Sequence, residues 1–350
     1  MQSSRFALLL FAAGTVAQAS DPLELNRRGI DATEHGKYAE AERLYREESE
    51  IWRSRGPSFV AHFAVSRYNL GEALRGQGRW TEATAEFDWA LEILRRTVGP
   101  SDESTLSAMI SLANASMVLG DIGRAESLVR EAIQQERASQ TGSPLLSASL
   151  VTLAGVLSRT GRAAEALPPA DEAVSLAVAA AGDGSVEAAL AYAQAGVVHR
   201  VAGRPERALP LLRKARAIYE RTRGTEYPST ASVISQEGLA LMDLGQYGMA
   251  EHELTTALTT LSHCGGCGHE QVAAEINLGL LLVKEKKFER ADSPLEEALR
   301  TEEQFARPAI SDMSTILRLL AQVKEHEHHT AEAAVLRQRA AAFTASMVGQ

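Results

Sequence analysis

Gly36-Lys37-Tyr38-Ala39-Glu40-Ala41 returns 42 residues later as Gly78-Arg79-Trp80-Thr81-Glu82-Ala83, then as Gly120-Asp121-Ile122-Gly123-Arg124-Ala125 and Gly161-Arg162-Ala163-Ala164-Glu165-Ala166. The series runs on through Gly203 to Ala208, Gly245 to Ala250, Lys286 to Ala291 and His328 to Ala333. Successive anchors stand 42, 42, 41, 42, 42, 41 and 42 residues apart, and all eight blocks end in Ala. Seven residues before each anchor the chain carries Gly29, Gly71, Ala113, Ala154, Gly196, Gly238, Gly279 and Ala321. Twelve residues after it come Ala90, Ala132, Ala173, Ala215, Ala257, Ala298 and Ala340, with Glu48 the one departure, in the first unit. A fixed period of this length marks a repeat architecture, in which each unit buries its apolar face only by stacking on its neighbours.

Within a unit the pattern predicts a helical hairpin. Segments such as Ser66 to Arg75 and Ala274 to Val283 carry Leu and Ala at helical spacing. The anchor then ends that helix in a tight turn, and a second amphipathic helix follows, as in Thr81 to Leu94. Small residues recur where two helix axes must come close. Gly99, Gly182, Gly224 and Gly266, each 21 residues past an anchor, stop the second helix. Pro100, Pro144 and Pro228 lie at or just beyond those stops, as suits a connector. Pro168-Pro169, Pro210 and Pro294 fall early in second helices and are expected to be tolerated there.

These residues resemble the tetratricopeptide repeat family, whose unit carries a small residue in its first helix, Gly-x-aromatic at the turn and Ala twice in its second helix. The period is similar to the long variant of kinesin light chains and many bacterial proteins, whose link resembles Val98-Gly99-Pro100-Ser101-Asp102-Glu103. The resemblance covers Asp21 to about Val348 and implies an all-α fold, a right-handed solenoid of about eight hairpins. The turn aromatic is kept as Tyr38, Trp80, Tyr247 and Phe288 and replaced by Ile122, Ala163, Pro205 and Thr330 elsewhere. The last unit, with His328-His329, is the most degenerate, as a capping repeat is expected to be.

Composition agrees with close-packed helices: 45% of residues are hydrophobic, yet only 5% are Phe, Trp or Tyr. Thirty-six Lys and Arg against 45 Asp and Glu leave a net charge of -9, so no nucleic-acid partner is expected. At the amino terminus Arg5 precedes the apolar run Phe6 to Ala13, and Ala17-Gln18-Ala19 forms an A-x-A cleavage site. A signal peptide over residues 1–19 and an extracytoplasmic mature chain, in a periplasm or secreted, are therefore expected. No Cys lies near the cleavage site for a lipid anchor, and no later run of about 18 apolar residues would insert the mature chain in a membrane. The repeat domain is placed at 20–350, with approximate units 22–63, 64–105, 106–146, 147–188, 189–230, 231–271, 272–313 and 314–350.

Residues able to do chemistry are few. His263-Cys264-Gly265-Gly266-Cys267-Gly268-His269 places two Cys and two His within seven residues. It could close a local disulfide between Cys264 and Cys267, hold idle thiols, or bind a metal or exchange thiols. The disulfide is expected, because the cluster sits at a link where Gly266 already stops a helix. His326-Glu327-His328-His329 lacks zinc-protease spacing, since residue 330 is Thr330. His199 is expected to be a packed histidine on the inner side of the fifth unit. Asn114-Ala115-Ser116 matches a glycosylation acceptor but falls inside a predicted helix. No phosphate loop, nucleophile elbow or paired catalytic carboxylate is present. No enzyme activity, cofactor or metal is expected.

In a solenoid of this kind the first helices line the concave face. Ten and nine residues before the anchors, the candidates for gripping a peptide are Asn26, Tyr68, Asn69, Gln194, Gln236, Asn277 and Arg318. In kinesin-light-chain-like units these positions are commonly paired Asn, which implies a peptide-holding ladder that is only partly kept here. Six and three residues before the anchors stand Glu72, Arg75, Asn114, Arg200 and Gln322, on a face that becomes more apolar in later units, with Met242, Leu280 and Val283. The expected function is an exported, non-catalytic scaffold that binds a protein or peptide in its concave groove. Two rival expectations are a metal-handling or thiol-redox protein using Cys264 and Cys267, and an assembly component acting through its convex face. Oligomeric state is not legible.

Overall fold

Each first helix ends because its anchor takes a left-handed backbone that a helix cannot continue. Gly36, Gly78, Gly120, Gly161, Gly203 and Gly245 have φ between 71° and 86°, and Lys286 (59°) and His328 (65°) adopt the same conformation without the freedom of Gly. In every unit the residue after the anchor donates its N–H to the carbonyl five residues back, from Lys37 to Ala32 at 2.8 Å through His329 to Lys324 at 2.8 Å. That bond satisfies a carbonyl the helix end would otherwise leave open. Eight identical stops at one period generate eight hairpins.

A computed structural model describes residues 21–138, 145–262, 264, 267–305 and 310–348. The expected signal peptide, Pro144, His263 and Gly266 lie outside the described residues. The hairpins are α1 (Pro22–Glu34) with α2 (Tyr38–Ser54), α3 (Val60–Gly76) with α4 (Trp80–Thr97), α5 (Glu103–Val118) with α6 (Ile122–Ala138), and α7 (Leu146–Arg159) with α8 (Ala163–Ala181). They continue as α9 (Val186–Val201) with α10 (Pro205–Arg223), α11 (Pro228–Asp243) with α12 (Tyr247–Ser262), α13 (Gly268–Lys284) with α14 (Phe288–Gln304), and α15 (Ile310–His326) with α16 (Thr330–Val348). No strand occurs among the described residues, and the fold is an all-α solenoid. Gly99, Gly182 and Gly224 stop second helices at φ of 102°, 91° and 94°, and Gly56 does so in the first unit at 91°. Asp102 and Ser185 then cap the next helix by accepting from Ser104 N (2.9 Å) and Ala188 N (3.0 Å).

The prolines are tolerated inside second helices as expected, though not for lack of an acceptor. Pro168, Pro169, Pro210 and Pro294 are the sixth or seventh residues of α8, α10 and α14, beyond the four N–H groups that lack an acceptor. Each therefore removes an internal bond. The helices survive because the residues four back, Ala164, Glu165, Glu206 and Arg290, are all exposed, so the released carbonyls turn to water.

Inside a hairpin, size is matched across the helix pair. An added Cβ on Gly71 would meet the Phe87 ring at 2.6 Å, on Gly196 the Leu212 Cγ at 2.6 Å, and on Gly238 the Leu254 Cγ at 2.7 Å. Gly29 faces Tyr45 and Gly279 faces Leu295 in the same way. Sixteen residues after Ala113, Ala154 and Ala321 stand Val129, Ala170 and Arg337 instead of Leu or an aromatic ring. Where the second helix offers Leu or an aromatic ring, the first has no side chain; where it offers Val, Ala or, in the last unit, Arg, the first keeps a methyl.

Between units, the residue after an anchor reaches a glutamate six residues past the previous anchor. Arg79 meets Glu42 at 2.7 Å, Arg162 meets Glu126 at 2.9 Å and Lys287 meets Glu251 at 2.9 Å. The turn aromatics serve the same junction: Tyr38 fills the space beside Gly76, Lys284 stands 5.8 Å over Tyr247, and Phe288 stacks on His326 at 4.2 Å.

The backbones of consecutive first helices approach one another along the array, α7 and α9 most closely, whereas consecutive second helices are joined only through long side chains, such as Arg95 to Glu131 at 2.8 Å and Arg216 to Glu253 at 2.9 Å. A curved stack whose first helices touch and whose second helices are spread carries the first helices on its inner side. The coil winds far enough for its turns to meet: His269 of α13 lies edge-to-face with Trp80 of α4 at 6.4 Å, stacks on Phe305 at 4.0 Å, and borders Gly78.

Candidate functional site

The inner wall is built by the side chains that first helices turn away from their own second helices. Four of the seven large hydrophobic residues exposed among the described residues lie there: Leu23, Ile30, Leu190 and Val201, each at least 42% accessible. Burial of such side chains is the dominant favourable term in association.

Neighbouring first helices are stitched along this wall by polar side chains. The Tyr68 hydroxyl lies 3.3 Å from Ser111 Oγ, Thr152 donates to Asn114 Oδ1 at 3.2 Å, and Asn277 Nδ2 donates to Ser235 Oγ at 3.0 Å. Gln194 packs beside Gly155, where an added Cβ would stand 3.6 Å from its Nε2, an ordinary contact. Arg200 bridges to Asp243 of the next unit at 3.3 Å. Glu72 and Arg75 pair within α3 at 2.6 Å. The Glu72 charge and hydrogen bond raise the Arg75 pKa against opposing desolvation, although 44% of the Arg75 side chain remains accessible. Burial likewise pushes the Tyr68 phenol well above its usual range.

Three polar atoms of this wall are buried and have no protein partner: Glu72 Oε1, Arg200 Nε and Gln236 Oε1. Asn69 is half-buried, and Arg318 and Gln322 are exposed near the far end. Arg318 bonds only the Ser314 carbonyl (3.3 Å) and the Thr315 hydroxyl (3.5 Å).

One candidate, Asn26, is placed elsewhere, and His199 is packed as expected, though not on the inner side. Asn26 is spent on the buried Glu48, donating to its carboxylate at 3.2 and 3.3 Å, while Trp52 Nε1 donates at 3.1 Å. Glu48 stands where every other unit has Ala, and a carboxylate enclosed there needs donors. Burial raises its pKa, and Asn26 and Trp52 hold it down in part. His199 faces backwards out of the groove: it is buried, with Nε2 3.1 Å from Asp171 on the preceding second helix.

Arg159 and Lys284, two residues before their anchors, were missed in the sequence; both are exposed, on the turn-side edge of the wall. That repeat position carries no fixed pattern, being Glu34, Gly76, Val118, Arg159, Val201, Asp243, Lys284 and His326 along the chain, so the sequence offered no periodic signal for them.

The Cys cluster belongs to a link. Cys264 and Cys267 are joined as a disulfide with Cα atoms 5.6 Å apart, and Cys267 is buried against Ala231, Leu261 and Ala274. Among the described residues, no three His, Cys, Asp or Glu side chains are grouped to hold a metal ion. No helix among them is long and apolar enough to cross a membrane. His326 is occupied by Phe288, and Asn114 by Thr152.

Comparison with known proteins agrees with this geometry. The profile of the tetratricopeptide repeat matches residues 62–138, 145–221 and 186–259. No curated protein matches the sequence closely enough to count as a relative. Among solved structures, the chain is similar to the Rap conjugation gene regulator of plasmid pLS20 in complex with the Phr* peptide, at TM-score 0.65 and 14% identity over 94% of this chain and 97% of that one. It is similar to a Rap protein complexed with Competence and Sporulation Factor at TM-score 0.63 and 14% identity, over 94% and 99% of the two chains. A putative kinesin light chain of Podosopora anserina matches at TM-score 0.45 and 20% identity, over 58% and 99%. With eight hairpins in phase and the repeat profile matched across more than half its length, the chain belongs to the tetratricopeptide repeat family.

Proposed function

We propose that the chain is an exported, non-catalytic scaffold that holds a peptide segment of another protein against the inner wall of its coil. The observation that carries this reading is the set of unspent groups on that wall. Glu72 Oε1, Arg200 Nε and Gln236 Oε1 lack protein partners, beside the exposed Leu190 and Val201. Buried polar groups are ordinarily paired, and an extended peptide backbone offers donors and acceptors together with side chains to cover the aliphatic surface. Support also comes from the two Rap structures, each complexed with a named factor or peptide.

The test selects binders from a displayed peptide library with the wild-type protein. The selected peptides are then titrated against Asn69→Ala/Arg75→Ala/Gln236→Ala on the inner wall and Glu92→Ala/Arg96→Ala/Thr255→Ala on exposed second-helix positions of the same units. The inner triple is expected to weaken binding at least tenfold, and the outer triple to leave it unchanged. Equal loss from both overturns the groove.

A further inference from the structure

The link between α12 and α13 is tied differently from its counterparts. After Gly99 and Gly224, a Thr hydroxyl six residues on donates back to the glycine carbonyl, Thr105 to Gly99 at 2.7 Å and Thr230 to Gly224 at 3.0 Å. Asp102 and Ser185 cap the helices that follow Gly99 and Gly182. Six residues past Gly266 stands Val272, which has no hydroxyl, and Cys267, the cap residue of α13, makes no side-chain hydrogen bond. The Cys264–Cys267 disulfide stands in place of both ties. Each of its ends is held by a helix: Cys264 N–H donates to the Leu261 carbonyl at 3.0 Å, and the Cys267 carbonyl accepts from Gln271 N–H at 2.9 Å. The bond thus joins the end of α12 directly to the start of α13. That start carries a contact between successive turns of the coil. A Cβ added to Gly268 would stand 3.1 Å from the Phe305 ring, and His269 stacks on Phe305 at 4.0 Å and meets Trp80 of the second unit edge-to-face at 6.4 Å. A gap of about 0.5–1 Å already forfeits a quarter to a half of a dispersion contact, so a small displacement of His269 is enough to part the two turns.

We infer that the Cys264–Cys267 disulfide is a redox clamp on the closed coil. Oxidised, it sets the start of α13 so that His269 meets Trp80; reduced by a dithiol, it releases that start and the turns separate. The inference goes beyond the groove reading and depends on no ligand. Cys264 is half-buried and Cys267 buried, so an entering thiolate reaches the Cys264 Sγ. Its attack forms a mixed disulfide with Cys264 and breaks the Cys264–Cys267 bond, and the Cys267 Sγ leaves as a thiolate and takes up a proton. The second thiol of the reductant then displaces Cys264, closes the reductant's own disulfide and leaves Cys264 as a thiol. Two electrons pass from the dithiol to the protein, and its two protons end on Cys264 and Cys267. The opening turn of α13, whose first N–H groups have no helical acceptor, is then left with no tie from Cys267 to α12. A thiol–disulfide change of this kind acts as a switch by biasing an element with two positions, here the contact between turns.

The experiment compares the full chain oxidised, reduced with dithiothreitol, and re-oxidised after the reductant is removed. Solution scattering reads the radius of gyration, hydrogen exchange reads the amides of residues 271–275, and circular dichroism reads helix content. Reduction is expected to enlarge the radius of gyration and to speed exchange at those amides at least tenfold with helix content kept, and re-oxidation to restore both. Cys264→Ala/Cys267→Ala is expected to show the enlarged radius with or without dithiothreitol. Trp80→Ala is expected to be enlarged from the start, with no further increase on reduction. An unchanged radius in a reduced protein whose two thiols titrate would overturn the clamp, as would a response to dithiothreitol in the variant that has no cysteine. Faster exchange in α13 at constant radius would also overturn it, since the disulfide would then staple the link alone. Loss of helix content on reduction would replace opening by unfolding and reject the inference. Where the alanine variant fails to fold, the reduction and re-oxidation cycle of the parent protein decides.

Discussion

Substituting Gly238 by Ala places a methyl group 2.7 Å from Leu254 Cγ, 2.9 Å from its Cδ2 and 3.3 Å from the Ala250 carbonyl oxygen. Carbon atoms rest about 3.5–4.0 Å apart, so the overlap approaches about 1 Å against a fully buried side chain on a neighbouring helix. Overpacking of this kind costs about 1–3 kcal/mol, and the gain in helix propensity from Gly to Ala returns about 1 kcal/mol. Gly238→Ala is therefore expected to destabilise by up to about 2 kcal/mol despite improving the local sequence. Leu254→Ala alone empties the same contact and is expected to lose about 2–5 kcal/mol. The double variant reproduces the Ala154 and Ala170 pair that the fourth unit already uses, so its loss should fall short of the sum by about 1–3 kcal/mol. A repeat array does not unfold as one unit, so the coupling is read from hydrogen exchange of α11 and α12 amides alongside urea midpoints. Additivity within about 0.5 kcal/mol, or a Gly238→Ala protein more stable than the parent, would refute the steric matching of the two helices.

Other expectations concern single sites. Burial pushes the Glu237 carboxyl up to about 7 from 4.5, with Arg216 3.7 Å away and Glu253 nearby. Because the folded state holds this proton more tightly, its contribution is complete below pH 4.5 and is lost as pH rises to 7; at pH 8 Glu237→Gln should be more stable than the parent by about 3 kcal/mol, and equal to it at pH 4.5. Urea midpoints at both pH values check this, and a variant less stable at pH 8 would contradict it. Lys286→Gly and His328→Gly should each raise stability by up to about 1 kcal/mol, read from a higher urea midpoint, since both residues adopt a left-handed backbone that Gly enters without strain. Trp80→Ala removes one side of the contact with His269 and should enlarge the radius of gyration in solution scattering, while helix content by circular dichroism is kept. Thiol titration of the purified, unreduced protein should find no free thiol, because Cys264 and Cys267 are paired.

The eight turns were legible because a left-handed stop and a close helix approach each admit few residue types, and the two constraints recur in one phase. Even the irregular anchors Lys286 and His328 kept the phase, so their φ values followed from neighbours rather than from their own preference. The matching of Gly71 to Phe87 and of Ala154 to Ala170 lay in the sequence at a spacing of sixteen, but it acquires meaning only once the facing pairs are known. The groove was less legible, since an amide at an inner position can face either way. Asn26 turned to the buried Glu48, while Gln236 kept a free acceptor, and the difference was set by what stood on the second helix behind. The prolines are tolerated as read, but beyond the acceptor-free first turn, where the residues four back, Ala164, Glu165, Glu206 and Arg290, are exposed.

The inner wall is tested most directly by photocrosslinking a peptide selected from the displayed library. Benzoylphenylalanine replaces Val197, half-buried on the inner wall of α9, or Ala217, exposed on α10 of the same unit. The account predicts a peptide adduct from position 197 and none from position 217; equal adducts from both, or an adduct from position 217 alone, would contradict it.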